Sequence, residues 1–398
     1  MRPSSLPAVL AVLSLAAPLT AHAIHVCDLD GQPIDPANGH TTAHKSGMMH
    51  CRDGAGGPLQ RDQELRDGVF MGTMRYYRKG VLQSEFTVNE RGNRDGLARE
   101  FAATDGPKNP VLREESYRNG THVGLSRTWQ ADGSTPARLT FYDDDGREIA
   151  VAEYTARGQL SGLRCGPRPV FAPHADDATW CGFKGSPQPL TLYGHDGRES
   201  SHLVLLRGER IRSETLWENG KPNETSERTE TGGIDRAFSP EGIKRREVQW
   251  LRVGPPERSR RASTLEQEFH ESGTLVRERR WNVAERSSEL VLEQRWYLNG
   301  QPREKQEFTT VDGRPVRRDT RFHDNGRIAS EAAWLLADRY DTQPIGIHKQ
   351  FDDQGRLREE RHHDARGKLT RERSFDETGQ LLRDDEVFED GSRKAVAR

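Results

Sequence analysis

The chain has 398 residues, of which only 32% are hydrophobic and 31% are charged. That length would serve two or three ordinary domains, but so little apolar material cannot fill one large spherical core and suits a thin, extended body. With 60 basic and 62 acidic residues mixed locally, the chain lacks the basic excess of a general nucleic-acid binder.

The N-terminus reads as a secretory signal over residues 1–23. Arg2 supplies the positive charge, Leu6 to Leu19 form an apolar stretch, and Ala21-His22-Ala23 fits a small-residue cleavage site. The mature chain is expected from about Ile24. The stretch is too short for a membrane anchor and Pro18 interrupts it. No lipid-attachment signature surrounds Cys27, and no other apolar run nears spanning length. The expectation is a periplasmic or secreted protein without stable membrane insertion.

Residues 24–66 do not repeat. They are rich in Gly, His and Asp and read as a loop-rich segment tied by Cys27 and Cys51. His25, His40, His44 and His50 share this segment with the two cysteines. His and Cys are metal ligands, but the spacings match no standard zinc pattern, and in an oxidising compartment the cysteines are expected to pair. A metal held by His40, His44 and His50 is the residual alternative; no metal and no cofactor are assigned.

From residue 67 onward one phrase recurs: an aromatic, three turn-prone residues, a glycine, and often an aliphatic two positions later. Clear copies run Phe322 to Ile328 around Gly326, Phe351 to Leu357 around Gly355, and Phe375 to Leu381 around Gly379. Gly355, Gly367, Gly379 and Gly391 are spaced by twelve. Fixed-period self-similarity marks an array of small units. The glycines supply positive φ, either in Asn-Gly and Asp-Gly turns or as the left-handed residue closing a type I turn. Flanks of about five residues have strand length. A second phrase, glycine-aliphatic-polar-aromatic, begins at Gly72, Gly96, Gly124 and Gly346. It reads as a strand entry where another backbone approaches closely. The aromatic and the aliphatic are the expected buried residues of a narrow apolar ribbon.

The first repeat block is expected over 67–164. Asp143-Asp144-Asp145-Gly146 within it is a hairpin turn rather than a calcium loop, since Phe141 stands where an EF-hand needs an acid. Residues 165–190 interrupt the array: Cys165 and Cys181 frame them, and Pro167, Pro169, Pro173, Pro187 and Pro189 argue against regular strand pairing. The cysteine spacings favour Cys27–Cys51 and Cys165–Cys181 over the other connectivities. A second block fills 191–398, broken at Gly254 to Arg261, with a brief helical turn conceivable at Trp334 to Ala337. The fold class is therefore all-β: an elongated, twisted antiparallel β-hairpin meander built from repeats.

The pattern aromatic-x-x-x-Gly-x-Leu-x-x-Glu, with Glu331 and Glu360 at the acidic position, resembles the MORN-repeat variant of many bacterial proteins, including the YwqK-type antitoxins of toxin–antitoxin systems. The resemblance covers roughly Asp67 to the C-terminus. It implies a curled hairpin array and protein binding without catalysis. Export departs from a cytoplasmic antitoxin and implies instead an immunity-like neutraliser that meets toxins outside the cytoplasm.

No nucleophile elbow, zinc-binding helix or phosphate-binding glycine loop is present. The arginine runs Lys244 to Arg246 and Arg258 to Arg261 read as solvated loops diluted by Glu241, Glu247 and Glu257. The functional expectation is a non-catalytic exported protein that binds another protein, a toxin or secreted effector, by occlusion. The alternative is an envelope scaffold contacting peptidoglycan or the outer membrane. Trp217, Trp250 and Trp281 lie outside the repeat's aromatic position and are the candidate partner anchors.

Overall fold

Each aromatic-to-glycine phrase ends one strand and returns the chain antiparallel as the next. A computed structural model of the protein describes residues 25–103, 109–336 and 342–396; the expected signal peptide lies outside the described residues. Strand makes up 61% and helix 3%, in two large antiparallel sheets of meandering hairpins that do not close into barrels. The chain divides into two compact units, Met1–Ile149 and Ala150–Arg398. Among the described residues no helix is long and apolar enough to cross a membrane.

In the first sheet the strands follow chain order from Gly47–Asp53 to Leu160–Arg164, apart from Thr121–His122, which pairs off this path with Val111–Arg118, and at its other end His25–Leu29 lies between Gly47–Asp53 and Gln32–Ile34. The 25–66 segment is thus more regular than its composition suggests. Strands His25–Leu29, Gln32–Ile34, Gly47–Asp53 and Leu59–Arg66 pair into the sheet, with a short helix Gly39–Thr42 between them. Cys27 and Cys51 face each other in register and are disulfide-bonded. They pack with Leu29, Ile34, Met49 and Leu65 in a buried cluster. The disulfide and alternate apolar residues supply a core that the Gly and His content conceals.

The second sheet is an uninterrupted meander from Gln188–Tyr193 to Arg393–Ala395, each strand beside its sequence neighbours. Before it, Cys165 and Cys181 form the second disulfide across a segment with one short helix, Asp177–Trp180. Pro189 lies in a strand, paired with Val204, correcting the expectation that it would exclude pairing. Its strand is at the sheet edge, where a missing N–H costs no ladder bond. Trp334, Leu335 and Leu336 belong to strand Ile328–Leu336 rather than a helical turn; Ala337 lies outside the described residues.

The hairpins use two turn types. At Asp352–Gly355, the Gly355 N–H donates to the Asp352 carbonyl while Asp352 Oδ1 accepts from the N–H groups of Gln354 and Arg356. Only Gly355 in this turn has positive φ, so it is the type I turn closed by a left-handed glycine. Asp143 works the same way toward Asp145 and Arg147. Shorter hairpins such as Lys79–Gly80 and Asp312–Gly313 have positive φ at both residues, the type I′ signature. The glycine of the first type brings a register shift, which makes the repeat's aromatic and aliphatic direct cross-strand partners: Phe322 with Ile328, Phe351 with Leu357, Phe375 with Leu381.

The second glycine phrase marks bulges. At Gly72, Gly96 and Gly346 three residues face a single one on the neighbouring strand. All have positive φ, and a Cβ at Gly72 or Gly96 would meet the side chains of Glu64 and Thr87, while one at Gly346 would meet open space. The constraint is the left-handed conformation, not the expected approach of a neighbouring backbone. Glu64 fills the gap at Gly72, accepting the Thr73 N–H at 2.8 Å.

Candidate binding surface

The ribbon core expected of the repeat's aromatics is corrected in the second sheet. Phe269, Phe322, Phe351 and Phe375 are only half-buried. The buried side chains there include Glu247, Glu278, Glu293, Asp319, Glu360 and Asp385. The reason is position along the strand. The aromatics close turns at the sheet margin, whereas mid-strand carboxylates are flanked on both sides by long side chains of neighbouring strands.

Register gathers these charges into rows. Directly opposed residues share a face, and the pairings Thr191–His202–Glu214–Thr225–Arg236–Glu247 continue through Gln267, Glu278, Gln294, Lys305 and Thr320. They run on through Glu331, Lys349, Glu360 and Arg373 to Asp384. Every member is polar. Glu247, Glu278, Glu331, Glu360 and Asp384 occupy the acidic position of the repeat, five residues past a turn glycine.

Cross-strand bonds join the row. Arg236 Nε donates to Glu247 at 3.1 Å, Gln267 Nε2 to Glu278 at 2.7 Å, and Arg373 bridges Glu360 at 3.1 Å and Asp384 at 3.3 Å. Burial by itself would raise the carboxyl of Glu247, yet Lys244, Gln249 and Arg236 hold it below the usual range. Glu360 behaves alike, its burial outweighed by His362 and Arg373. Asp384 is lowered chiefly by Arg371. His202 is held above the usual imidazole range by Glu214 and Glu199, at 3.0 and 3.1 Å. These partners favour the charged forms of Glu247, Glu360, Asp384 and His202.

The three tryptophans do not form one patch. Trp250 is 4% exposed and lies over Gly233, where a Cβ would come within 2.6 Å of its ring; it is a core residue, not the expected exposed anchor. Trp217 is half-buried and donates its indole N–H to the Phe238 carbonyl at 3.2 Å. That bond stitches adjacent turns, as Tyr297 does to Phe322 at 2.9 Å. Trp281 is half-buried opposite Leu290, with the Arg279 guanidinium 5.5 Å from its ring centroid. The row is not legible in the sequence, because its members lie on different strands. The polar residue five past each glycine was its only sequence signal.

In the first unit, His50 Nδ1 lies 2.7 Å from buried Asp62, which also accepts from the Tyr77 hydroxyl at 2.6 Å. His44 pairs with Asp67 at 3.2 Å. Among the described residues no three His, Cys, Asp or Glu are grouped to hold a metal. The two disulfides fit an oxidising, exported setting.

No family model matches the chain, and no curated protein matches it. Among solved structures, the crystal structure of TcdB2-TccC3 aligns with 87% of this chain and 21% of its own, at 10% identity and a TM-score of 0.18. That of TcdB2-TccC3-Cdc42 aligns with 87% of this chain and 18% of its own, at 9% identity and a TM-score of 0.18. The chain thus spans about a fifth of the length of these matched chains.

Proposed function

We propose that the protein is a non-catalytic, exported binding protein of the antitoxin or immunity type, which neutralises a toxin or secreted effector by covering its working surface. The observation that carries this reading is the polar row from Thr191 to Asp384. A row that sets acidic and basic side chains among neutral Thr and Gln offers electrostatic complementarity, which selects partners and steers their encounter. Repeat arrays present such surface in length. The likeness of the repeat to bacterial MORN-repeat variants supports the same reading, and the signal-like N-terminus and paired cysteines support a periplasmic or secreted setting.

The test is capture from a periplasmic extract on the immobilised protein, followed by co-expression with each captured protein. A toxic partner whose toxicity is relieved by the wild-type chain, and less so by Lys349→Glu with Arg373→Glu, is the expected result. Captured partners whose toxicity is unchanged by co-expression would reject the reading.

A further inference from the structure

Four arginines from four strands of the second sheet lie close to one another, one of them over the Trp250 ring. They are Arg210 in Glu209–Leu216, Arg228 in Pro222–Arg228, Arg252 in Lys244–Val253 and Arg261 in Arg260–Phe269. Arg252 and Arg261 are direct cross-strand partners, an arrangement that is unfavourable for like charges. Arg228 faces Gly233, and Gly233 faces Trp250. The Arg261 guanidinium sits 3.9 Å from the Trp250 ring centroid and pairs with Asp235. Among the described residues no carboxylate lies within ion-pair distance of Arg210, Arg228 or Arg252.

Arg228 is the most constrained of the four. Its Nε is buried without an acceptor, as is the indole N–H of Trp250. Burial, then repulsion from Arg210 and Arg261, holds its guanidinium below the ordinary range. A trough of about 790 Å³ opens beside it, lined by Arg207, Arg210, Arg228, Thr229 and Arg252, with Glu209 and Glu230 as its acids.

We propose that this trough binds a phosphate group, either free or carried as a monoester on a small sugar. Phosphate brings close to two negative charges and three acceptor oxygens. Planar guanidinium forks bind such oxygens in pairs. The dianion would relieve the repulsion among three unpaired guanidiniums more fully than a single carboxylate, and the trough has room for the phosphate with a sugar ring attached. This site is independent of the polar row, since none of the residues lining the trough belongs to it.

Isothermal titration of the full chain at low ionic strength, with inorganic phosphate, glucose 1-phosphate, acetate and a glutamate-rich peptide, tests it. Saturable binding of a phosphate compound is expected, weakened about ten-fold or more by Arg228→Gln and by Arg252→Gln, the loss of one charge-assisted bond. Arg286→Gln, an exposed arginine outside the cluster, should leave it unchanged. Tighter binding of glucose 1-phosphate than of inorganic phosphate assigns the monoester, and the reverse assigns free phosphate. Circular dichroism checks the fold of Arg228→Gln; exposed Arg252→Gln gives the second reading. No saturable phosphate binding, equal binding of acetate or peptide, or wild-type affinity in both folded variants would overturn the proposal.

Discussion

Trp250 and Gly233 illustrate how one residue's role depends on its partner across the strand. The indole lies over a position without a side chain and is capped by Arg261, so a ring that falls outside the repeat phrase becomes the best-buried aromatic of its sheet. Trp250→Ala should cost about 3–5 kcal/mol, the range for deleting a buried aromatic, measured by urea unfolding of the second unit. A loss under about 1 kcal/mol would show that the ring is not packed as described. The neighbouring Gly232-Gly233 pair was visible in the sequence. Its meaning was not, because only register shows which ring lies over which glycine.

At the scale of the element, the hairpin explains the repeat phrase. The left-handed glycine shifts the register, the shift pairs aromatic with aliphatic, and Asp or Asn oxygens satisfy the turn's N–H groups. Between turns, the strands carry the charged row, and its stability depends on ionisation. The folded pKa values of Glu247, Glu360 and Asp384 lie below their ordinary ones. Between those values and the unfolded ones (about 4.3 for Glu and 3.9 for Asp), the unfolded chain holds more protons, so acid favours unfolding. The contribution of these groups is complete above the unfolded values and is lost as pH falls through the folded ones. The thermal midpoint of the second unit is expected to be nearly flat from about pH 7 to 5 with respect to these carboxylates, and to fall below about pH 4. Glu247→Gln should make the fall shallower. A midpoint unchanged down to about pH 3 would contradict this account.

At the scale of the whole molecule, each unit carries its own disulfide: Cys27–Cys51 with a sequence separation of 24 in the first, Cys165–Cys181 with 16 in the second. Loops of these lengths stabilise by about 3 kcal/mol each in the chain-entropy model. Replacing Cys27 and Cys51 by Ser should therefore lower the unfolding free energy of the first unit by about that amount, read by peptide-resolved hydrogen exchange, while protection of strands Leu275–Val283 and Leu357–His363 stays unchanged. Equal loss of protection in both units would show that they unfold as one.

Glycine spacing, turn-forming Asp and Asn and the scarcity of apolar residues were enough to determine an all-β hairpin array, because each hairpin closes through contacts a few residues apart. The cysteine spacings likewise pointed to both disulfides. What only the tertiary structure decided was which side chains are buried. Register across many strands placed carboxylates in the mid-strand interior, moved the phrase's aromatics to the margin and brought arginines from four strands close to one another. Burial of this kind depends on the neighbours above and below a residue in the sheet, and those are ten or more positions away in the chain.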